Sequence, residues 1–151
     1  MMTDLVSDLQ RSIATIIRIQ KILEPSVETA HKTYKFAPPD IQTLRYISEH
    51  PNCMSGAIAK FLGVVPTTMT SVIDRLVKRG FVDRHRPEDN RRAIALNLTE
   101  EGQKVLAQIL AEDLQAVGMM LNCLPSSQHE QFVGSMRQIA STLAASRGEE
   151  I

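Results

Sequence analysis

A change in the spacing of apolar residues near Gly80 constrains the fold of this 151-residue chain more than any other feature. Before that glycine, apolar side chains follow the three-to-four-residue spacing of an α-helix: Met69, Val72, Ile73 and Leu76. After it, large apolar side chains alternate with smaller or polar ones over residues 94–98, which is typical of a β-strand. The chain is therefore predicted to be mainly α-helical with one small β-hairpin.

Long helical regions are predicted at both ends of the chain. Residues 2–24 contain neither Gly nor Pro, and their apolar residues recur at helical spacings, which predicts an amphipathic helix that continues past Pro25. Thr99, followed by two glutamates, fits the N-cap of another long helix. A last helix is predicted where Ser127 and Glu130 have the spacing of a capping box.

Three shorter helices and the hairpin occupy the middle of the chain. The first of these helices follows a break at Pro38 and Pro39, the second ends at Gly63, and the third begins at Pro66. Residues 81–86 and 93–99 form β-like runs on either side of a turn cluster. A helix, a tight turn, a helix and a hairpin are the elements of a winged helix-turn-helix, whose second helix enters the DNA major groove.

The distribution of charge agrees with a nucleic-acid partner. The chain contains 17 basic and 17 acidic residues and has no net charge. Residues 55–92 alone contain eight basic and four acidic side chains, so the remainder of the chain carries the compensating negative charge. This segment is therefore predicted to present a cationic face to the phosphates of double-stranded DNA.

The polar face of the predicted recognition helix combines short hydroxyls and long cations. Helical spacing places these residues opposite the apolar stripe: Thr67, Thr68, Ser71, Arg75 and Lys78. Hydroxyl and guanidinium groups there are suited to base edges and phosphates. The alternative is an ordinary solvated helix face, which the neighbouring hairpin and the charge distribution disfavour.

Basic residues also cluster in the hairpin that forms the predicted wing. Arg86, Arg91 and Arg92 are the DNA-binding candidates, since an arginine at a hairpin tip can enter a narrow minor groove. The alternative interpretation is a charged, exposed β-turn of the kind that many proteins contain.

Four segments together resemble the multiple-antibiotic-resistance regulator (MarR) family of bacterial transcription factors. They are Ile58–Val64, Met69–Val82, Arg91–Ala93 and Leu98–Gly102, and the resemblance extends to the helices on either side. It implies a homodimer whose N- and C-terminal helices interlock and whose two winged domains bind a pseudo-palindromic operator. The expected division is a winged helix-turn-helix DNA-binding domain at 38–99 and a helical dimerisation region at 1–37 and 100–151.

Two positions depart from the family's pattern. Val65 stands where the family often has a polar cap before the recognition helix, so Thr67 or Thr68 is expected to satisfy the exposed amides. Asn90 stands at the position of the usual wing aspartate, which puts the family's local salt bridge in doubt, while Arg92 aligns with the wing arginine.

The resemblance also implies an effector pocket between the dimerisation region and the DNA-binding lobe. His31, Tyr34 and Arg45 lie near the junction where family members bind phenolic anions, although these polar residues equally fit a solvated corner. The expected function is a sequence-specific repressor that a small aromatic acid releases from DNA. The alternative is a winged-helix module that binds protein and has no specific affinity for DNA.

The sequence does not support other classes of protein. It contains no nucleophile elbow, metalloprotease motif or phosphate-binding glycine loop, so neither an enzyme activity nor a cofactor is predicted. Cys53 follows His50 at a His-x-x-Cys spacing, but no second ligand pair is nearby, and no metal site is predicted. With only Cys53 and Cys123 and no membrane-spanning apolar segment, a cytoplasmic protein without a membrane partner is expected.

Overall fold

The computed structural model describes residues 1–22, 30–88, 90 and 92–148, without the side chains at positions 20, 21, 22, 31 and 32. Within these residues the elements follow in this order: α1 Met2–Ile22, α2 Ala30–Tyr34, α3 Pro38–Glu49, α4 Ser55–Leu62, α5 Pro66–Lys78, β1 Val82–His85, β2 Ala95–Leu98, α6 Glu100–Leu121 and α7 Ser126–Ala145. The predicted mainly α fold with one small hairpin is confirmed. The predicted continuation of the first helix past Pro25 lies outside the described residues.

The turn between α4 and α5 forms as the sequence predicts. Gly63 caps α4 in the left-handed conformation, with φ +65°. The backbone N–H of Val64 then donates to the carbonyl of Ala59 at 3.0 Å, which satisfies one of the last carbonyls of α4. Pro66 begins α5, where its missing N–H has no cost. The two helices consequently meet at a bend of 116°.

The hairpin packs on the same side of the molecule as this turn. Strand β1 pairs antiparallel with β2, in the register that places Val82 opposite Leu98. The segment before α4 joins the hairpin, because the N–H of Leu96 donates to the carbonyl of Cys53 at 2.9 Å. The wing is therefore connected through hydrogen bonds to the start of the helix-turn-helix unit.

One hydrophobic core lies between α3, α4, α5, the hairpin and the first half of α6. Its largest fully buried side chains come from each of these elements: Leu44, Ile47, Ile58, Met69, Ile73, Leu76, Val82, Leu96, Val105 and Ile109. The predicted stripe on α5 faces this core along its whole length. Burial of these side chains is the main favourable contribution to folding of this lobe.

Thr99 joins the end of the hairpin to the start of α6. Its side-chain oxygen accepts a hydrogen bond from the N–H of Gly102 at 3.0 Å, which confirms the predicted N-cap. The same hydroxyl donates to the carbonyl of Gly80 at 2.6 Å. One side chain therefore caps α6 and holds it against the turn that follows α5.

The start of α7 differs from the prediction. The helix begins at Ser126, with Pro125 as its N-cap, and the capping box predicted from Ser127 and Glu130 is wrong. The carbonyl of Pro125 already accepts from the N–H of Gln128 at 2.9 Å, so Ser127 lies inside the first helical turn. The predicted N-cap, Ser127, therefore lies two residues after the observed N-cap, Pro125.

No single helix in the described ranges is long and apolar enough to cross a membrane. In those ranges, the bent pair of α4 and α5 is the one combination that reaches the required length and hydropathy, and its large apolar residues include core residues such as Ile58 and Ile73.

Candidate nucleic-acid interface

The face of α5 opposite the core is exposed, as its sequence pattern predicts. The five polar side chains assigned to this face are all exposed: Thr67, Thr68, Ser71, Arg75 and Lys78. The Ser71 hydroxyl donates to the carbonyl of Thr67 at 3.1 Å. This bond uses the hydroxyl proton, and the oxygen of the exposed Ser71 can still accept a hydrogen bond from a base amino group.

The N-terminus of α5 has no side-chain cap. Val65 has an extended backbone and makes no side-chain capping hydrogen bond. The N–H groups of Thr67 and Thr68 are in the first turn, where the helix supplies no carbonyl for them. Together with the helix dipole, these amides favour an anionic group such as a DNA phosphate at this end.

Arg75 is bonded to a buried carboxylate on α3. One guanidinium nitrogen of Arg75 donates to Oδ1 of Asp40, whose side chain is 2% exposed. The other carboxylate oxygen, Oδ2, accepts from the N–H of Ala37 at 2.9 Å. Asp40 thus caps α3 and pairs with α5 at the same time. The sequence pattern alone did not single out Asp40, although an acid directly after two helix-starting prolines is a capping signal.

Two other basic residues of the cationic segment are engaged within the chain. Arg84 on β1 donates to Oδ1 of Asp74 on α5 at 2.5 Å. Arg79 donates to the carbonyl of Tyr34, and its guanidinium lies 4.5 Å from the ring centroid of Phe36 and 5.1 Å from that of Phe81. These two arginines hold elements of this lobe together, so the charge of the segment overstates the number of cations that could face DNA.

The wing is described in part. Arg86 and Arg92 are exposed, whereas Asp89 and Arg91 lie outside the described residues. The side-chain oxygen of Asn90 accepts from the backbone N–H of Arg92 at 3.3 Å. Asn90 therefore holds the wing turn through the backbone of Arg92.

The residues predicted to form an effector pocket contact different groups. The ring of Tyr34 stacks on Phe36 and meets Phe81 edge-on, with centroids 5.7 Å and 5.6 Å away. Arg45 on α3 instead donates to the carboxylate of Asp113 on α6 at 2.6 Å. The side chain of His31 lies outside the described residues. Open, shallow clefts lie on α1 and on α7, and their lining includes neither Tyr34 nor Arg45.

Unpartnered polar atoms lie near Arg45. Its Nε and Oε2 of Glu112 are both buried and have no hydrogen-bond partner among the described residues. The other carboxylate oxygen of Glu112 accepts from the N–H of Ala30 at 2.6 Å. The junction of α2, α3 and α6 therefore contains unused donor and acceptor capacity, and the effector pocket remains a prediction.

The cysteines and potential metal ligands form no cluster in the part of the chain that the structure describes. No group of three His, Cys, Asp or Glu side chains there is arranged to hold a metal ion. Cys53 and Cys123 are free thiols, the first half-buried and the second exposed. Burial raises the pKa of Cys53, an effect that a hydrogen bond to its backbone partly opposes.

Comparison with known proteins identifies the family. Residues 36–94 match the model of the MarR family. The chain is also 30% identical over 107 residues to the HTH-type transcriptional repressor MdtR of Bacillus subtilis, an alignment that covers 71% of this chain and 67% of MdtR. The chain belongs to the MarR family. A second relative, YwhA of Bacillus subtilis, is also named as an HTH-type transcriptional regulator; it is 26% identical over 97 residues, covering 64% of this chain and 70% of YwhA.

Solved MarR-family structures share the fold. A MarR family protein from Bacillus stearothermophilus superposes with a TM-score of 0.76 at 17% identity, with 95% of each chain covered. A mutant of S. aureus MepR bound to an oligodeoxyribonucleotide superposes with a TM-score of 0.64 at 18% identity, covering 91% of this chain and 97% of MepR. These similarities establish the MarR winged-helix architecture.

Proposed function

We propose that this MarR-family protein is a sequence-specific transcriptional repressor that binds a pseudo-palindromic DNA operator as a homodimer. The observation that carries the proposal is the exposed hydroxyl and cationic face of α5, directly opposite its buried stripe. A helix anchored by one apolar face presents the other face in a fixed orientation, as major-groove reading requires. The structure that resembles this fold and contains an oligodeoxyribonucleotide supports the same partner.

The contact residues divide by chemistry. Thr67, Thr68 and Ser71 offer hydroxyls near the start of α5, and Lys78 offers a cation near its end. In the wing, Arg86, Arg91 and Arg92 are proposed to contact the DNA backbone or minor groove. The rival function, a protein-binding winged helix, offers no reason for basic residues in both elements.

Homodimer formation is supported by the two terminal helices. One side of α1 is apolar and exposed, with Leu5 67%, Leu9 59% and Ile13 47% accessible. On α7, Met136 and Ile139 are also more than half exposed. Neither helix packs extensively against another element of the described chain. An apolar surface of this length on two unpartnered helices is the expected signature of a subunit interface.

The proposed division of the chain follows from this exposure. Residues 38–99 form the DNA-binding domain, and residues 1–37 and 100–151 form the dimerisation region. The first half of α6 also packs in the core of the DNA-binding lobe through Val105 and Ile109. We therefore propose that α6 carries structural changes between the two regions.

The proposal includes release by a small aromatic acid bound near His31, Tyr34 and Arg45. The buried Nε of Arg45, which has no hydrogen-bond partner in the described part of the chain, supports an anionic ligand there. Asp113 already occupies the other end of this guanidinium, so the ligand has to compete with an internal carboxylate. Calorimetry with salicylate, with and without bound DNA, tests this part: linkage requires DNA and ligand to weaken one another by the same factor. Undetectable binding, or equal affinities, would remove the ligand and leave DNA binding intact.

In vitro selection from random 30-base-pair duplexes tests the proposed function itself. We expect the purified protein to enrich an inverted repeat, because the two subunits of a symmetric dimer bind equivalent half-sites. Absence of any enriched sequence would favour the protein-binding alternative. The duplex enriched by the wild-type protein, called the selected duplex below, serves the further experiments.

A further inference from the structure

We propose that Arg75 contributes to DNA binding as a positioning residue, through its ion pair with Asp40, and does not itself read a base. The sequence pattern assigns Arg75 to the DNA-reading face of α5, whereas the structure bonds its guanidinium to α3. The inference rests on the proposed function, because positioning has meaning only if α5 enters DNA.

Because Asp40 is buried, breaking its ion pair with Arg75 is energetically costly. The carboxylate is nearly inaccessible, and its other oxygen is used by the N–H of Ala37. A buried carboxylate that loses its cationic partner becomes an uncompensated charge, which is much more costly than losing an exposed ion pair. The pair uses one guanidinium nitrogen, and for Arg75 to turn its whole guanidinium towards a guanine edge it would have to leave Asp40 in that state. Lys78 and Arg92 are both exposed, and neither is paired with a buried carboxylate among the described residues.

The geometry of the pair suits a positioning role. Asp40 is at the third position of α3, and α3 is fixed in the core by Leu44 and Ile47. The side chain of Arg75 is 44% exposed, so it spans from the buried carboxylate to the surface of α5. The ion pair therefore fixes the rotation of α5 relative to a rigid neighbour, close to the polar face that carries Ser71.

A second ion pair connects α5 to strand β1 of the wing. Asp74, next to Arg75 in sequence, accepts from Arg84 on strand β1. Adjacent residues of the recognition helix are thus paired to α3 and to the wing. The side chain of Asp74 is 57% exposed and that of Arg84 37%, so this second pair is solvent-screened and weaker. The buried carboxylate makes the Asp40 pair the dominant constraint.

A double-mutant cycle on the selected duplex tests the proposal. Affinity is measured for Arg75→Ala, Asp40→Asn and the double variant, together with the preference of each for every single-base change in the duplex. We expect each single variant to lose roughly 10- to 100-fold in affinity and the double variant to lose no more than either, because both remove one interaction. The loss of preference should be spread over the half-site.

A direct reading role for Arg75 gives a different pattern and would overturn the proposal. Arg75→Ala would then abolish preference at one base pair, while Asp40→Asn, which frees the guanidinium, would preserve or increase affinity. If Arg75 contacted a phosphate, Arg75→Ala would make the negative slope of log affinity against log salt shallower by about 0.9. We expect no change in that slope for Arg75→Ala, whereas Arg92→Ala should make it shallower and serves as the positive control.

The double variant also guards against a folding defect. It contains no unpaired buried charge, and the Asn side chain retains an oxygen that can accept from Ala37. If Arg75→Ala alone fails to fold, the double variant remains informative. Its base preferences show whether sequence preference is lost evenly over the half-site or at a single base pair. Enrichment of a duplex by the wild-type protein tests the proposed function separately, so failure of the two ideas can be distinguished.

Discussion

Gly102, in the first turn of α6, lies directly against the backbone carbonyl of Phe81. A Cβ at this position would stand 2.1 Å from the carbonyl oxygen, well inside any allowed contact. The N–H of Thr99 donates to the same oxygen at 3.1 Å. The absence of a side chain at Gly102 therefore lets α6 begin beside the turn that joins the recognition helix to the wing.

Substitution of Gly102 should destabilise the protein. We expect Gly102→Ala to lower the free energy of unfolding by about 1–3 kcal/mol, because the methyl group must displace backbone atoms. Chemical denaturation monitored by circular dichroism measures this loss. Gly56→Ala is the matched control, since no atom lies within 4 Å of a Cβ built there. Equal stability of the two variants would show that α6 does not require the close approach.

Charged substitutions on the terminal helices should dissociate the dimer. Ile13→Glu on α1 and Ile139→Glu on α7 would each place a carboxylate in the proposed apolar interface, where desolvation is costly. We expect both variants to sediment as monomers at micromolar concentration, and the wild-type protein as a dimer. Ser7→Glu, on the other side of α1, should remain dimeric. A monomeric wild-type protein would contradict the dimer and the pseudo-palindromic operator that follows from it.

Substitutions in the recognition helix and in the wing should have different effects on DNA binding. We expect Ser71→Ala to cost about 1–3 kcal/mol on the selected duplex and to reduce sequence preference, as loss of a base contact does. Arg92→Ala should weaken binding to the selected duplex and to random DNA by similar factors. Arg147→Ala, just beyond the C-terminus of α7, is the charge-matched control and should bind normally. Unchanged affinity of both test variants at low salt would contradict the assigned interface.

Cys53 should react slowly with alkylating reagents in the native protein. Burial raises the pKa of its thiol, so less thiolate is present at neutral pH than in the unfolded chain. In a Cys123→Ser background, we expect iodoacetamide to modify Cys53 more slowly in native than in denatured protein, with the native rate still rising above the ordinary thiol pKa. The linked contribution to stability is present below that pKa and is lost at higher pH. Equal native and denatured rates would contradict the burial of Cys53.

The sequence predicted the features that depend on periodicity and local caps. The buried stripe of α5 follows from helical spacing. The cap of α6 was predictable because the Thr99 hydroxyl and the two following acids all lie at the first turn of the helix. Ser127 shows the limit of such motifs: the same local pattern lies inside α7, since the backbone of Pro125 starts the helix earlier.

Contacts between distant residues could not be predicted in the same way. Asp40 and Arg75 are 35 positions apart, and helical spacing identified Arg75 only as a polar residue on an exposed face. Which carboxylate meets it depends on how α3 packs against α5. The same applies to Arg79, which the charge count treated as available to DNA but whose guanidinium contacts Phe36 and Phe81. Charge counts describe a segment, whereas partners are set by tertiary packing.

The most direct test of the account compares the affinity of the wild-type protein for the selected duplex and for a scrambled duplex of the same composition, at two salt concentrations. Sequence-specific binding predicts a preference on the order of 10³-fold or more for the selected duplex at physiological salt. It also predicts that both affinities fall as salt increases, because phosphate contacts contribute to each. Equal affinities for the two duplexes at both salt concentrations would contradict the central claim that α5 and the wing form a sequence-specific DNA interface.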